Sequence, residues 1–580
     1  MAGRPVFPSR FGVLEPLLAS IGYHGFLTTM VGDVVKVKTR LLRARFLKLT
    51  RRVARSQEEL LLRKIARRRA TAFGLDHRFD EISSIGQFQR NVPISTYDYF
   101  EPYIRRVIEG DTQALIAPDD RLLMFALTSG TTATPKYIPV TQEFLDEYRK
   151  GWLVWASFIL HDHPTAFEYS IVQAVSSAHE QTTGLGVPCG AISGLIAEMQ
   201  PPVVHRMYGV PHEAAEISDA ESKYYSIVRL ALAGKVSFFV TANPSTVMAC
   251  AKTAEKHAGE LIRDIADGTL WEGCRLEGRI RQAICRRLRP DLKRARRLEA
   301  LAAGGTFRLG EALDDLILIA NWKGGTLKRY LDLYPLYFPG IPVRDIGLIA
   351  SEGRMSIPTG DEGSFGVLDV ASHFFEFIPC EENLRANPIV LLAHELEIGR
   401  EYFIVLTTSS GLYRYNIYDV VRVTGFYNEA PVIEFRNKGS HFSSLTGEKL
   451  AEAQVVEAIG RVNAELSITL NTFTLCPFWE EGKPGYQLLI EEGSAAPSTF
   501  LKIAEKLDEE LCRINVEYSS KRRTNRLWGI RSRAIPVGCF DEFRRKMVAQ
   551  RGGRLEQFKH VFLTQDEEFP TKLGFPVQGR

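Results

Sequence analysis

The chain has 580 residues, with 73 Lys and Arg against 69 Asp and Glu, and 45% of its residues are hydrophobic. This composition is typical of a soluble globular protein, and it excludes disordered, collagen-like and mucin-like chains. A chain of this length forms several structural units, whose cores need neither disulfides nor metal ions for stability.

Positive charge is concentrated at the start of the chain. Residues 1–70 hold sixteen Lys and Arg against four Asp and Glu, so the rest of the chain carries a net charge of −8. A general nucleic-acid-binding function needs basic residues on the body of the protein, and an acidic body does not support it. We therefore expect no nucleic-acid partner.

Neither a secretory signal nor a membrane span is predicted. Pro5 and Pro8 interrupt the apolar core that a signal peptide would need. The most apolar early stretch, 17–37, contains His24 and Asp33, so it lacks the run of about 20 apolar residues of a membrane span. We expect a cytoplasmic protein. The eight cysteines form no C-x-x-C pair, which disfavours structural zinc and a disulfide framework.

Residues 38–73 contain apolar side chains at approximately helical spacing among many arginines: Leu41, Leu42, Phe46, Leu49, Val53, Leu60, Leu61 and Ile65. The pattern predicts one or two amphipathic helices with a very basic outer face. Two interpretations stay open. The helices either form a solvated cover over a core, or they bring residues 1–70 into weak contact with a membrane surface or an acidic partner.

From residue 120 onward, short β-rich runs alternate with helical ones. The pattern predicts buried strands, a helix whose cap is Asn243 or Ser245, an antiparallel hairpin or small barrel, and a C-terminal unit that restarts with a helix. In chain order these elements are strands at Val236–Val240 and Leu316–Ala320, the hairpin or barrel at 401–427, a helix at 448–461, a strand at 467–474, a helix at 499–515 and a basic tail poor in strands.

Residues 127–141 read LTSGTTATPKYIPVT, a short turn rich in hydroxyl groups. Backbone N–H groups, hydroxyls and one ammonium can hold the oxygens of a polyphosphate, and here they come from Ser129, Gly130, Thr131, Thr132 and Lys136. A Walker A loop would need glycine and Ser or Thr at positions where this chain has proline and tyrosine, so a P-loop kinase or GTPase is disfavoured. The alternative is an ordinary turn between a strand and a helix.

This string resembles the phosphate loop of the adenylate-forming, luciferase-like superfamily. With its K-x-I-P-x-T ending it resembles, more narrowly, the Gretchen Hagen family of acyl-acid amido synthetases. The resemblance spans roughly residues 70–565, and further segments match that family in chain order: 92–97, 102–111, 224–226, 264–268, 349–352, 376–379 and 411–426.

The resemblance implies the adenylate-forming enzyme fold, of class α/β. It predicts a large composite N-terminal domain over residues 1–436, made of α/β layers plus a small β-barrel, which includes the basic helical segment 1–70. A small, mobile α+β domain is predicted over residues 437–580. We expect a monomer.

Two acidic residues fit the needs of such an enzyme. Glu352 follows a predicted strand in a turn of small residues, where its carboxylate is a suitable ligand for Mg²⁺ on phosphate oxygens. Asp419 lies among aromatic and β-branched residues, where accepting hydrogen bonds from both ribose hydroxyls would offset the cost of its burial. The alternatives are a surface glutamate and a salt bridge from Asp419 to Arg414 or Arg422.

Other nucleotide contacts are implied by the resemblance. Gly324 and Gly325 would let adenine approach the backbone, although a plain turn remains the alternative. Ser351 belongs to the nucleotide site, and Arg436, at the hinge, could reach the ribose or the phosphates. Lys559, in a Q-F-K string, would face the reacting α-phosphate. Catalysis is thus assigned to Lys559, Lys136 and Glu352.

The acid-binding pocket is expected next to the helix that follows the phosphate loop. By resemblance, Tyr148, Arg149 and Trp152 line this pocket, and Arg149 could hold a carboxylate; a surface arginine is the alternative. The chain has Leu348 where the family has a tyrosine, so aliphatic contact would replace aromatic stacking on adenine.

The predicted reaction uses ATP and Mg²⁺ to convert a small carboxylic acid to its acyl-adenylate, which an amino acid then attacks to give an amide. Auxin-like, jasmonate-like and benzoate-like acids fit the sequence equally well. Two other functions stay open: an adenylating acyl-CoA or thioester ligase, and a non-catalytic nucleotide- or acyl-acid-binding protein at the membrane periphery.

Overall fold

The computed structural model describes residues 30–128, 136–324, 328–382, 387–438, 442–443, 445, 448, 450–480, 483–523, 527–551 and 560–575. Within these residues, no helix is both long enough and apolar enough to cross a membrane.

A parallel four-stranded sheet lies in the large N-terminal part of the chain. Its strands are β3 (Ser170–Ala174), β6 (Val236–Thr241), β7 (Leu318–Asn321) and β8 (Val343–Asp345), hydrogen-bonded in that order. All residues of β6 are buried, as its largely apolar sequence predicts for a parallel strand. The predicted helix start is also confirmed, because the Asn243 side chain accepts a hydrogen bond from the backbone N–H of Ser245 at 2.9 Å.

A second four-stranded sheet contains β1 (Leu122–Thr128), β2 (Lys136–Thr141), β4 (Gln181–Thr182) and β5 (Pro188–Gly190). These strands are hydrogen-bonded in the order β2-β1-β5-β4. Strands β1 and β2 are antiparallel, and Thr128 lies opposite Lys136. Thr128 and Lys136, which flank residues 129–135, therefore lie side by side at the same end of these two strands.

A seven-stranded antiparallel sheet has the order β11-β12-β17-β16-β15-β13-β14. Its strands β15 and β16 are antiparallel neighbours, as the pattern of residues 401–427 predicted. The strands are β11 (Ser356–Ile357), β12 (Phe365–Leu368), β13 (Phe374–Pro379), β14 (Leu391–Leu392), β15 (Glu401–Thr407), β16 (Tyr415–Tyr427) and β17 (Ala430–Lys438). The short strands β9 (Ile349–Ala350) and β10 (Gly353–Arg354) form a separate hairpin.

Most helices of the large part pack around these sheets. The helices are α1 (Met30–Leu49), α2 (Val53–Arg68), α3 (Ala72–Asp76), α4 (Ile85–Asn91), α5 (Tyr97–Ile108), α6 (Gln142–Asp162), α7 (Ile192–Glu198), α8 (Pro202–His205), α9 (Ala220–Ala233), α10 (Pro244–Lys256), α11 (Ala258–Asp267), α12 (Gly278–Cys285), α13 (Leu292–Ala302), α14 (Leu309–Ala312), α15 (Lys328–Leu331) and α16 (Tyr334–Tyr337). One core cluster connects helices α9–α14 and α16 with the parallel sheet. A larger core cluster connects helices α2–α6 with the other sheets.

The C-terminal part has its own apolar core, whose buried members lie between Leu450 and Leu563. It contains β18 (Phe442–Ser443), β19 (Leu450–Ala451), α17 (Glu452–Leu466), β20 (Phe473–Glu480), β21 (Lys483–Glu491), α18 (Phe500–Ile514), α19 (Val516–Arg523), β22 (Arg531–Ile535), α20 (Cys539–Arg551) and α21 (Phe569–Lys572). One expectation here was wrong, because residues 467–472 precede the strand β20 rather than forming part of it. Within its described residues, the tail contains the short strand β22, which pairs in parallel with β21.

The basic N-terminal helices differ from the expected solvated cover. Leu60, Leu61 and Ile65 of α2 are buried, as predicted, but Lys64 and Arg68 are buried with them. Lys64 Nζ lies 2.7 Å from a Glu147 oxygen, and Arg68 Nη2 lies 2.7 Å from Glu143. The prediction assumed that every cation faces solvent, whereas α6 supplies carboxylates to this face of α2.

Candidate active site

A cleft of about 2880 Å³ brings together the described residues that the sequence assigned to the nucleotide, the metal and the acid. These residues are Lys136, Tyr148, Arg149, Trp152, Gly324, Ser351, Glu352, Asp419 and Arg436. The C-terminal part adds Glu452, Gln454 and Arg544 to the lining. Predicted residues Ser129, Gly130, Thr131, Thr132, Gly325 and Lys559 lie outside the described residues.

Two tyrosines connect the polar groups of the cleft. Lys136 Nζ lies 5.5 Å from the centre of the Tyr97 ring, and the Tyr97 hydroxyl accepts a hydrogen bond from the backbone N–H of Tyr137 at 2.9 Å. Burial raises the pKa of Tyr415, and the negative charges of Glu352 and Asp419 raise this pKa further. The carboxylates of Glu352 and Asp419 thus lie near one buried tyrosine.

Glu352 is presented by a tight turn. Ala350 of β9 pairs with Gly353 of β10, so Ser351 and Glu352 form the two-residue connection of this hairpin. Glu352 is 8% exposed and lines the cleft. Among the described residues, no group of three or more His, Cys, Asp or Glu could hold a metal ion. One buried carboxylate on the cleft wall fits Mg²⁺, which proteins usually bind through one or two carboxylates together with substrate phosphates.

Asp419 is positioned by an irregular part of β16. Tyr418 has a left-handed backbone, with φ of 59°, and its N–H donates a 2.8 Å hydrogen bond to the Asn416 side chain. A non-glycine residue in this conformation is held there by its surroundings, and it turns the chain locally. Asp419 itself is 3% exposed and lines the cleft. The sequence also offered Arg414 as an ion-pair partner of Asp419. In the structure Arg414 pairs with Glu376, with its Nε 2.9 Å from a Glu376 oxygen.

Helix α6 supplies all three residues predicted for the acid. The Tyr148 side chain is buried against Phe144, and an Arg149 guanidinium N–H donates to the Met199 carbonyl. Trp152 is half-buried, and the Arg354 guanidinium carbon lies 4.5 Å from the centre of the Trp152 ring. Burial lowers the pKa of Arg354 to about 10, which leaves it charged at neutral pH.

A row of four aromatic rings continues from Trp152 along one wall of the cleft. The ring centres are 5.1 Å apart for Trp152 and Trp155, 6.2 Å for Trp155 and Phe238, and 5.5 Å for Phe238 and Phe167. All four residues line the cleft. We call Trp152, Trp155, Phe238 and Phe167 the aromatic row. Sequence reasoning found only Trp152, although the i, i+3 spacing of the two tryptophans places both on one helix face.

The remaining predicted residues also lie at the cleft. Arg436 Nε is 3.1 Å from Glu401, so this guanidinium is paired within the protein. A Cβ atom added at Gly324 would make only ordinary contacts, the nearest at 3.4 Å from Ser364, so the surrounding protein does not require glycine at this position. The roles of both residues in nucleotide binding stay predictions.

The chain is similar to known proteins over most of its length. Sequence models of the GH3 family match three segments: the GH3 family N-terminal domain at residues 42–343, the central domain at 366–438 and the C-terminal domain at 453–568. The jasmonoyl-L-amino acid synthetase GH3.5 of Oryza sativa subsp. japonica is 26% identical over 88% of this chain and 92% of its own. The indole-3-acetic acid-amido synthetase GH3.15 of Arabidopsis thaliana is 25% identical over 83% and 85%.

A solved structure of a GH3.15 acyl acid amido synthetase has a TM-score of 0.79 to this chain, with 22% identity over 93% of this chain and 96% of that one. The likeness confirms the predicted fold class, with a large N-terminal part followed by a smaller C-terminal one. The three matched segments cover most of the sequence and confirm the resemblance found in its motifs. The chain belongs to the GH3 family.

Proposed function

We propose that this protein is an ATP-dependent acyl-acid amido synthetase, which joins a carboxylic acid to an amino acid through an acyl-adenylate. The observation that carries this proposal is a single cleft with a polar end, around Lys136, Glu352 and Asp419, and an apolar end along the aromatic row. Such a cleft would bind a nucleotide at its polar end and an apolar acid at its apolar end, so that the two substrates lie next to each other. The relatives named above are amide-forming synthetases, and they support the same class of reaction.

The proposed chemistry has two steps. The acid carboxylate attacks the α-phosphorus of ATP and pyrophosphate leaves; the amino group then attacks the acyl carbon, and AMP leaves. Glu352 is the residue that would hold Mg²⁺, which would supply positive charge to offset the charge of the phosphates. Lys136 would hold phosphate oxygens, and Asp419 would accept the ribose hydroxyls. Positioning and electrostatic stabilisation would provide most of the catalysis.

The two tyrosines contribute hydroxyl groups that remain neutral. Burial raises the pKa of Tyr97 and of Tyr415 above the ordinary tyrosine value. Both hydroxyls therefore keep their protons at neutral pH. A neutral hydroxyl donates hydrogen bonds to oxygen without adding negative charge beside a polyphosphate.

The aromatic row favours an apolar acid with a bulky or extended body. Trp152 and Phe167, at the two ends of the row, are half-buried and offer apolar contact area, while Trp155 and Phe238 are buried and support them from behind. The Arg354 charge beneath Trp152 holds that ring by a cation–π contact. We propose that the acid's apolar body lies along this row, with its carboxylate near Arg149.

Carboxylate-dependent exchange of labelled pyrophosphate into ATP, measured over a panel from benzoate to long-chain acids, tests the function. We expect exchange with apolar acids, and amide conjugates once amino acids are added. Thioesters formed only with coenzyme A would favour the ligase alternative, and no exchange with any acid would favour a non-catalytic protein. Trp152→Ala should raise the KM for the acid at least about tenfold, whereas Trp479→Ala, at an exposed tryptophan of β20, should not.

Leu348 provides a separate test of the nucleotide site. It lines the cleft, and its N–H donates to the Ser356 hydroxyl at 2.9 Å. Tyrosine at this position should lower the KM for ATP about two- to tenfold, because aromatic stacking adds about 0.5–1.5 kcal/mol. Leu348→Met keeps an aliphatic contact and should leave this KM unchanged. An unchanged KM in Leu348→Tyr would place adenine elsewhere.

A further inference from the structure

Helix α1 has one face on the protein and another in solvent. Thr39 and Phe46 are buried, and Arg43 lies over the Phe158 ring of α6, with its guanidinium carbon 5.6 Å from the ring centre. On the opposite side Val37 is 54% exposed and Leu41 is 66% exposed. The sequence pattern placed Leu41 with the apolar residues of a buried face, and the structure corrects this. The helix turns its Thr39 side to α6, so Leu41 points outward.

The exposed face of α1 has an apolar centre with basic edges. At about 100° per residue, Val37, Leu41 and Ala44 share one line along the helix. Lys38 and Arg45 lie on one side of this line and Arg40 on the other. We call these six residues the α1 face. Between Asp33 and Glu58 the chain has nine Lys and Arg and no acidic residue, so the nearby sequence does not neutralise the positive charge of the face.

We propose that the α1 face binds the surface of an anionic lipid bilayer. A helix with exposed apolar residues between rows of cations lies in the plane of such a surface, with its apolar side among the lipid chains and its cations at the anionic headgroups. A soluble polyanion would use the cations alone and would leave Val37 and Leu41 in water. The apolar centre therefore favours lipid over a polyanion.

Helix α13 is also basic, but an acidic side chain neutralises part of its charge. Leu292 is 62% exposed, as is usual for a single surface leucine. However, Arg294 and Arg297 both pair with Asp314, at 2.9 and 2.7 Å, which neutralises part of the charge of α13. This helix is the matched control for α1.

The position of α1 links the surface to the cleft. Lys38, Thr39 and Leu42 line the cleft beside α6, so docking of the opposite side of α1 would hold this end of the cleft about one helix diameter, roughly 10 Å, from the bilayer. If the proposed function holds, apolar acids that leave the lipid would enter water close to the cleft. The lipid contact itself does not depend on that function.

Flotation of the full-length protein with vesicles of phosphatidylcholine, with or without phosphatidylserine, tests the proposal. We expect binding only to the anionic vesicles. The double variant Arg40→Glu/Arg45→Glu should weaken it at least about tenfold, because each basic residue near such a surface contributes several-fold to binding, and Leu41→Ser should weaken it several-fold. The matched variants Lys293→Glu/Arg296→Glu and Leu292→Ser should bind like the unchanged protein.

Three results would overturn the proposal. One is absence of binding to anionic vesicles, and a second is an equal loss in the α1 and α13 variants. The third is a charge-only effect, in which Leu41→Ser binds normally while the charge reversal abolishes binding to vesicles and to heparin alike, as for a general polyanion contact. Pyrophosphate exchange with a water-soluble acid should be unchanged in all four variants. Loss of exchange without loss of flotation would concern the proposed function alone.

Discussion

Glutamine in place of Glu352 is expected to lower the rate of pyrophosphate exchange about 10²–10³-fold, equivalent to about 3–4 kcal/mol of lost transition-state stabilisation. The reason is chemical, because the amide keeps the size of the side chain and removes its charge. The turn that presents Glu352 is fixed by the pairing of Ala350 with Gly353, so the variant should retain the shape of the cleft. Exchange should be measured as a function of Mg²⁺ concentration.

The Mg²⁺ dependence separates loss of the metal from a structural effect. If Glu352 holds the ion, the variant needs more Mg²⁺ for half-maximal exchange, and high Mg²⁺ restores part of the rate. The control is Glu362→Gln, an exposed glutamate on the loop after β11, which should behave like the unchanged protein. A lower rate with an unchanged Mg²⁺ requirement would contradict the assignment.

Glutamine in place of Glu147 is expected to destabilise the large N-terminal part by about 3–5 kcal/mol, because it removes one partner of a buried ion pair. Lys64 is 1% exposed, and its ammonium donates to both Glu147 oxygens, at 2.7 and 2.8 Å, and to the Ser409 hydroxyl at 2.6 Å. Burial lowers the pKa of Lys64, and the charge of Glu147 opposes this shift. Without Glu147 the ammonium would lack its compensating charge.

Urea unfolding measures this effect through the midpoint of the transition. The control is Glu59→Gln on the same helix α2, since Glu59 makes a similarly short contact of 2.7 Å with Arg55, in which both side chains are exposed. The control should leave the midpoint unchanged, because solvent screens an exposed pair. A midpoint for Glu147→Gln equal to that of the control would show that this ion pair does not hold α2 on the large part.

Much of the local structure followed from the sequence. Four of the five residues of Val236–Val240 are apolar, and Asn243 and Pro244 follow this run at the positions of a helix cap and a first helical residue. The structure has a buried strand and a capped helix there. The strand pattern, the cap residue and the proline each act on residues close to them in the chain, so they can be identified from the sequence alone. The adenylate-forming fold was also predicted, because its motifs are short and keep their order.

The aromatic row shows what a local pattern leaves out. Helical spacing places Trp152 and Trp155 on one face of α6, but Phe238 comes from β6 and Phe167 from the segment before β3. Arg354 comes from a hairpin much later in the chain, and it lies beneath Trp152. No sequence period relates these positions, so only the packed structure identifies this wall of the cleft.

The sequence by itself determined that residues 38–73 are helical and basic, since the periodic apolar residues and the many arginines are local facts. Only the tertiary structure decided which side of each helix is buried. Lys64 and Arg68 face inward because Glu147 and Glu143 lie opposite them on α6, and Leu41 faces outward because α1 turns Thr39 toward α6. A sequence pattern assigns apolar residues to the inside and charged residues to the outside. Carboxylates from a distant part of the chain place Lys64 and Arg68 inside, and the packing of α1 on α6 leaves Leu41 outside.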